Sequence, residues 1–272
     1  MAIKHLPSAA DAAPPSPQPS PAGGRGSQAQ PSPAGGRGRP AALSLEAVSA
    51  TLANVPVLRG IGAQFERGAT VAIVGRNGAG KTTLLRLVMG FMPKHTGRVT
   101  FDGQDLATVP ARGRAGLGIG YAPEDRVLFP SFSVEGNLRF PCDVVGLTRR
   151  AVDARLAETL SIVPELEAML PRSAAALSGG QGKMVALGRA IMAGTRLVLL
   201  DEPFQGLAPV LATQYGTSLQ RLIRARPELC IVITESNRSL LKNIPTETLV
   251  LERGELQHGD VDAAFSDRPD LT

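Results

Sequence analysis

The chain has 272 residues, of which 43% are hydrophobic, with a mean hydropathy of +0.04. That length allows one α/β domain with a full core, or one with an inserted subdomain, and no apolar run approaches the ~20 residues that cross a bilayer. Net charge is +5, but Lys4, Arg25, Arg37 and Arg39 against Asp11 place three of those charges in the first 40 residues, so the remainder is nearly balanced and a nucleic-acid partner is not expected.

Residues 1–40 differ from the rest: 28 of them are Ala, Pro, Gly or Ser, and Pro-Ser-Pro-Ala-Gly-Gly-Arg-Gly occurs at 19–26 and again at 31–38. Such a segment buries too little apolar surface to offset its ordering entropy and is expected to be disordered. It lacks the apolar core of a secretory signal. From Leu43 the pattern turns regular, with strands expected at 43–49, 70–74, 98–101, 196–200, 229–234 and 247–252. Helices are expected at 81–89, 182–193 and 209–226, and a helix-rich stretch at 133–173. In the second helix Met184, Leu187, Gly188, Ile191 and Met192 share one face. Strands alternating with helices predict an α/β domain with a largely parallel central sheet. Cys230 lies in a predicted strand and, with Cys142, makes no disulfide framework; a reducing cytosol suits the pair.

The first chemical signal is Gly75-Arg76-Asn77-Gly78-Ala79-Gly80-Lys81-Thr82, which fits G-x-x-x-x-G-K-[ST] between a strand and a helix. Side chains would keep backbone N–H groups from closing around phosphate oxygens, hence the glycines, and the helix N-terminus adds partial positive charge. Lys81 is placed to meet β/γ phosphates and the Thr82 hydroxyl to ligate Mg²⁺. A second signal is the apolar run Leu197-Val-Leu-Leu followed by Asp201 and Glu202. Acids at the carboxyl end of a buried strand face the ligand crevice of an open sheet. Asp201 there suits Mg²⁺, and Glu202 suits orienting or deprotonating the attacking water. Third, Leu177-Ser178-Gly179-Gly180-Gln181 opens the helix at 182–193 and offers another phosphate-binding surface, as if two half-sites met across a dimer.

In this order the motifs resemble the ATP-binding cassette (ABC) ATPases, and the likeness covers about 43–259. Within that family the chain is most similar to the LivF-type subunit of branched-chain amino acid importers. The closer likeness rests on the phosphate loop through Thr83, on Tyr121-Ala-Pro-Glu124 with Phe129-Pro130, on Leu187-Gly-Arg-Ala190 and on Gly206-Leu-Ala-Pro209. The resemblance implies an α/β P-loop NTPase cassette over 41–272: a largely parallel core sheet, an antiparallel β part near the N-terminus, and a helical subdomain at about 133–175. It implies ATP and Mg²⁺ as cofactors, with Thr82, Glu124 and Asp201 toward the metal. It also implies a head-to-tail pair with a second ABC ATPase subunit, in which Ser178, Gly179, Gly180 and Gln181 serve the partner's nucleotide. Two membrane permeases, a periplasmic substrate-binding protein and a peripheral place on the cytoplasmic face of the inner membrane complete the expectation.

Three positions depart from the wider family pattern. Leu52 stands where an aromatic ring usually stacks on adenine, Glu124 where Gln usually sits, and Ser236 where a switch His meets the γ-phosphate. LivF-like relatives commonly carry Glu at the second of these and often Gln at the third. Ser236 predicts a slower or partner-dependent site. Two alternatives stay open: a urea or amide importer ATPase, and a weakly hydrolysing structural partner in a heterodimeric pair. A translation or repair ABC protein usually carries two cassettes or a long coiled coil, which this chain lacks.

Overall fold

The computed structural model describes residues 40–92, 95–125 and 128–258; the low-complexity segment at 1–39 lies outside them. Two long strands come first. β1 (Ala41–Leu52) and β2 (Val55–Glu66) form a hairpin whose two turn residues, Ala53 and Asn54, both have positive φ (47° and 64°), the backbone sense that matches the twist of paired strands. β3 (Thr70–Val74) runs into a loop and α1 (Lys81–Val88), followed by β4 (His95–Phe101), β5 (Gln104–Asp105), the short α2 (Ala111–Arg114) and β6 (Ile119–Ala122). Next come α3 (Val134–Val144), α4 (Arg149–Ile162) and two 3₁₀ turns, then α5 (Gly179–Ala193), β7 (Leu197–Asp201), α6 (Pro209–Ala225), β8 (Cys230–Glu235), β9 (Glu247–Glu252) and β10 (Glu255–His258).

The strands form two sheets. One is antiparallel, in the order β2-β1-β4-β5; the other has the order β10-β9-β3-β8-β7-β6 and is parallel except for β10 at its edge. Because successive side chains on a strand point to opposite faces, each central strand feeds two cores. Val71 and Ile73 of β3, Leu197 and Leu199 of β7, and Cys230 and Val232 of β8 pack with α1 and the antiparallel sheet. Ala72, Val74, Val198, Leu200, Ile231 and Ile233 pack on the other face, against α3 to α6. Full burial of each Leu or Ile is worth about 1.5–3 kcal/mol, which is why these strands are apolar throughout rather than alternating.

This topology sets the site. β3 lies beside β8 and β8 beside β7, with Val74 opposite Glu235 and Asp201 opposite Thr234. The carboxyl ends of three neighbouring strands therefore meet, each continuing into a polar residue or a glycine loop.

Several expected elements differ in detail. α5 begins at Gly179, with Ser178 as its N-cap and a reciprocal capping box to Gln181; the two glycines lie inside the helix because the cap offsets their poor propensity. α5 is also buried nearly all round, with Gly182, Val185, Ala186 and Ala190 covered as well as the expected stripe, since it lies between the sheet and the other helices. β7 and β8 each run one residue further than expected, to Asp201 and Glu235. Among the described residues no helix is long and apolar enough to cross a membrane.

Arg114 closes the far end of α1. Its guanidinium, on a residue 5% exposed, donates to the carbonyls of Leu87, Val88, Leu106 and Val109. They belong to a helix end and a loop, and those of Leu87 and Leu106 also accept the backbone N–H of Gly90 (2.9 Å) and Val109 (3.1 Å). Arg114→Ala is expected to lower stability by about 2–4 kcal/mol, from the lost hydrogen bonds and a cavity together. The shift of the urea midpoint measures it. Arg112→Ala, on the exposed side of the same turn, should change stability by no more than about 0.5 kcal/mol.

Candidate functional site

The loop after β3 owes its path to glycines. A Cβ on Gly75 would lie 2.3 Å from the Leu251 carbonyl oxygen, and Gly80 has φ +111° with the backbone of Val57 3.0 Å from where a Cβ would sit. No other residue fits either position without moving backbone. Gly75 N–H donates to the Glu235 carbonyl at 3.1 Å, which ties the start of the loop to β8. Lys81, first residue of α1 and 5% exposed, reaches back with Nζ to the carbonyls of Gly75 (2.6 Å) and Arg76 (3.0 Å) and to Oε1 of Glu202 (3.0 Å). An ammonium has three donors, and all three are engaged.

Asp201 ends β7 and Glu202 opens the turn after it; they are 1% and 3% exposed. Asp201 Oδ1 accepts from the hydroxyls of Thr82 (3.1 Å) and Thr234 (2.8 Å), and Oδ2 from Tyr121 (3.2 Å). Burial pushes the Asp201 carboxyl above its ordinary range, and these three hydrogen bonds pull it partly back. Glu202 stands at φ +46°, a left-handed conformation that costs a non-glycine residue about 1 kcal/mol or more. Its Oε2 accepts from the Ser236 amide (3.2 Å) and hydroxyl (3.0 Å), its amide donates to Thr234 O (3.1 Å), and its carbonyl accepts from Lys183 Nζ (2.7 Å).

A cavity of about 460 Å³ opens over this constellation. It is lined by Asn77, Gly78, Gly80, Lys81, Thr82 and Thr83 of the loop and α1, by Glu124, Glu202 and Gln205, and by the apolar Leu52 and Val57; Asp201 is not among the lining residues. Leu52 is 56% exposed at the tip of the β1–β2 hairpin and offers an aliphatic surface without a ring. Glu124 is half-buried, its carboxyl pushed up first by burial and then by the charges of Asp201 and Glu202. Gly75, Arg76 and Ala79 shape the loop without lining the cavity, and Ser236 reaches it only through Glu202.

Ser178, Gly179, Gly180 and Gln181 are not brought to this cavity. Ser178 lines a separate space of about 160 Å³ with Asp125, Leu128, Ala174, Leu177 and Gly182. Its hydroxyl accepts from Gln181 N–H (3.3 Å), and its amide donates to the Gln181 side chain (3.1 Å). Part of the donor set expected to be open is thus used by the cap, although an accepting hydroxyl keeps its own proton to donate.

Tyr121, Lys183 and Thr234 touch the acids, and sequence reasoning assigned them no role. It also passed over Glu235, although the signal was the one that singled out Asp201: an apolar strand ending in an acid. Glu235 is 0% exposed; Oε1 accepts from Phe204 N–H (2.9 Å), while Oε2 has no partner. Burial foremost, with the charge of Glu202, pushes its carboxyl up to about 8 against the opposing pull of the Phe204 amide, Lys183 and Lys81. The folded chain therefore holds this proton more tightly than the unfolded chain, where the ordinary value is 4.5. That contribution to stability is complete below about pH 4.5 and is lost as pH rises toward 8, with a slope of at most about 1.4 kcal/mol per pH unit. Relative to the wild type, Glu235→Gln should gain stability progressively between pH 5 and 8, read from urea midpoints, with no gain below pH 4.5.

Residues 58–205 match the ABC transporter family. The chain belongs to that family. The matched span holds the phosphate loop, Ser178, Asp201 and Glu202; Leu52, the end of β8 and Ser236 after it lie outside it. Among curated relatives, the Fe(3+) ions import ATP-binding protein FbpC of Pseudomonas fluorescens is 37% identical over 79% of this chain, which spans 60% of that protein's length. The high-affinity branched-chain amino acid transport ATP-binding protein BraG of Pseudomonas aeruginosa is 29% identical over 84% of this chain and is spanned to 96%. A solved ATP-binding subunit of an ABC transporter superposes with a TM-score of 0.70 at 26% identity, covering 81% of this chain and 90% of that one. ABC cassettes of this family are ATPases coupled to transport, and the two sheets and helical layers described above are the same α/β architecture.

Proposed function

We propose that this chain is the ATP-binding and ATP-hydrolysing subunit of an importer for branched-chain or other hydrophobic amino acids. The observation that carries the ATPase reading is that Lys81, Thr82 and Glu202 line one cavity, with Asp201 buried directly behind it on the Thr82 hydroxyl and Lys81 paired with Glu202. In this reading the loop amides and Lys81 grip the triphosphate, and Leu52 and Val57 contact the base. The Thr82 hydroxyl and Asp201 carboxylate, 3.1 Å apart with Glu124 on the same cavity, are hard oxygen donors that fit Mg²⁺, an ion that takes one or two protein ligands and completes its shell with phosphate and water. Bound there, Mg²⁺ would supply charge neutralisation of the phosphates. Glu202 positions and deprotonates the attacking water, and Lys81 hands its third hydrogen bond from Glu202 to phosphate when nucleotide enters.

Ser178 lies away from its own chain's cavity, which supports a head-to-tail pair with a second ABC ATPase subunit whose nucleotide it caps. Two permeases would anchor the pair to the cytoplasmic face of the membrane, fed by a substrate-binding protein. Span favours amino-acid import, because the chain covers nearly the whole of BraG; identity favours iron import, as in FbpC. Reconstitution with the co-purifying permeases and binding protein decides between them. Stimulation of ATPase by leucine, isoleucine or valine supports the proposal. Stimulation by Fe³⁺ or urea alone would replace the substrate and leave the cassette reading in place.

A further inference from the structure

The turn that carries Glu202 is held from one side by three consecutive residues of β8 and the loop after it. Thr234 takes the Glu202 amide through its carbonyl (3.1 Å) and hydroxyl (3.2 Å), and Ser236 takes Oε2 through its amide and hydroxyl. Between them, Glu235 reaches past Glu202 to accept the Phe204 amide. That amide lies inside a turn closed by Gln205 N–H on the Glu202 carbonyl (3.2 Å), and the Phe204 ring packs edge-on against Tyr215 with centroids 5.3 Å apart.

We propose that Glu235 is a positioning residue for Glu202: its buried carboxyl clamps the Phe204 amide and keeps Glu202 in the left-handed conformation that aims its carboxylate at the cavity. The inference rests on the ATPase reading above. Three observations support it. Glu202 adopts a backbone conformation that a non-glycine residue leaves unless it is held. Glu235 is completely buried with one carboxyl oxygen unpartnered, an expensive arrangement that a hydrophobic core does not keep without return. The groups facing it are Glu202 just after β7, Lys81 on α1, Lys183 on α5 and Tyr215 on α6, so it sits at the junction of the elements that build the site. Its backbone serves the same site, because the Glu235 carbonyl holds Gly75 at the start of the phosphate loop.

The role acts through geometry, so it separates kcat from KM. In Glu235→Gln the amide oxygen still accepts from Phe204 N–H, and kcat for MgATP should stay within about threefold of wild type. Glu235→Leu removes the acceptor at similar volume; kcat should fall at least 20-fold, while KM and the affinity for MgATP in equilibrium dialysis change less than threefold. If the leucine variant does not fold, Glu235→Ala provides the same comparison. The measurements use the full chain in its assembled complex. A leucine or alanine variant with wild-type kcat overturns the proposal, and so does a glutamine variant as slow as leucine. Failure of the ATPase reading looks different: the wild type itself would then neither bind nor turn over MgATP.

Discussion

Lys81→Met is expected to abolish nucleotide binding and to destabilise the protein at the same time. Lys81 and Glu202 form a buried ion pair at 3.0 Å, with both side chains 4% exposed. Removing only the cation leaves Glu202 charged, buried and without its strongest partner, a change that typically costs 3–5 kcal/mol. It also removes the one lysine that the cavity offers to phosphate among its described lining residues, and affinity for MgATP should fall at least about 100-fold. The two effects come apart in a double variant. Lys81→Met with Glu202→Gln replaces the pair by neutral groups, so stability should return to within about 1–2 kcal/mol of wild type while binding stays lost. Urea melts and equilibrium dialysis with MgATP on the two single variants and the double variant give the cycle. Unrecovered stability in the double variant would mean that the pair is not what holds this region.

Glu202→Gln should act in the opposite way, sparing binding and removing chemistry. Glutamine keeps the size of the side chain but only one acceptor oxygen, which serves Ser236 or Lys81 and not both. The nucleotide-free variant should therefore lose stability, whereas bound MgATP gives Lys81 a phosphate in place of Glu202. Glutamine cannot accept a proton from water. General bases contribute about 10²–10⁴ in rate, and a single-turnover measurement of MgATP hydrolysis in the assembled complex should show a loss in that range with affinity changed less than threefold. Unchanged turnover would make this chain's own site silent and move hydrolysis to the partner's, the weakly hydrolysing alternative that Ser236 raises. The structure bears on that alternative directly. Ser236 is spent on Glu202, donating to Oε2 twice, so it orients the base from its resting position.

The parts of this site that could be read in the sequence are those whose chemistry is local. The phosphate loop announces itself because closely spaced glycines and a lysine must adjoin a strand and a helix, and β7 because four apolar residues precede two acids. Strand β2 escaped because Pro56, Gly60 and Gly62 break its alternation; it is a strand through pairing with β1, a tertiary cause that propensity does not register. Short β6 hides for a related reason. Its Gly120 reads as a breaker, yet a Cβ there would lie 2.0 Å from the Ala190 carbonyl, so glycine is what lets α5 approach the sheet. The Lys81–Glu202 pair and the Glu235 clamp join residues distant in the chain or turned toward one another by a strained backbone. They become visible only when β3, β8 and β7 lie side by side.

In the proposed pair, one triphosphate is held between the 75–80 loop of this chain and the Ser178 cap of a neighbour. A structure of the assembled ATPase pair carrying the Glu202→Gln substitution and MgATP measures it most directly. The partner's equivalent of Ser178 is expected within hydrogen-bonding reach, about 3 Å, of the γ-phosphate bound to Lys81, and Ser178 of this chain in the same relation to the partner's nucleotide. Nucleotide seated on Lys81 with both serines left facing solvent would contradict it.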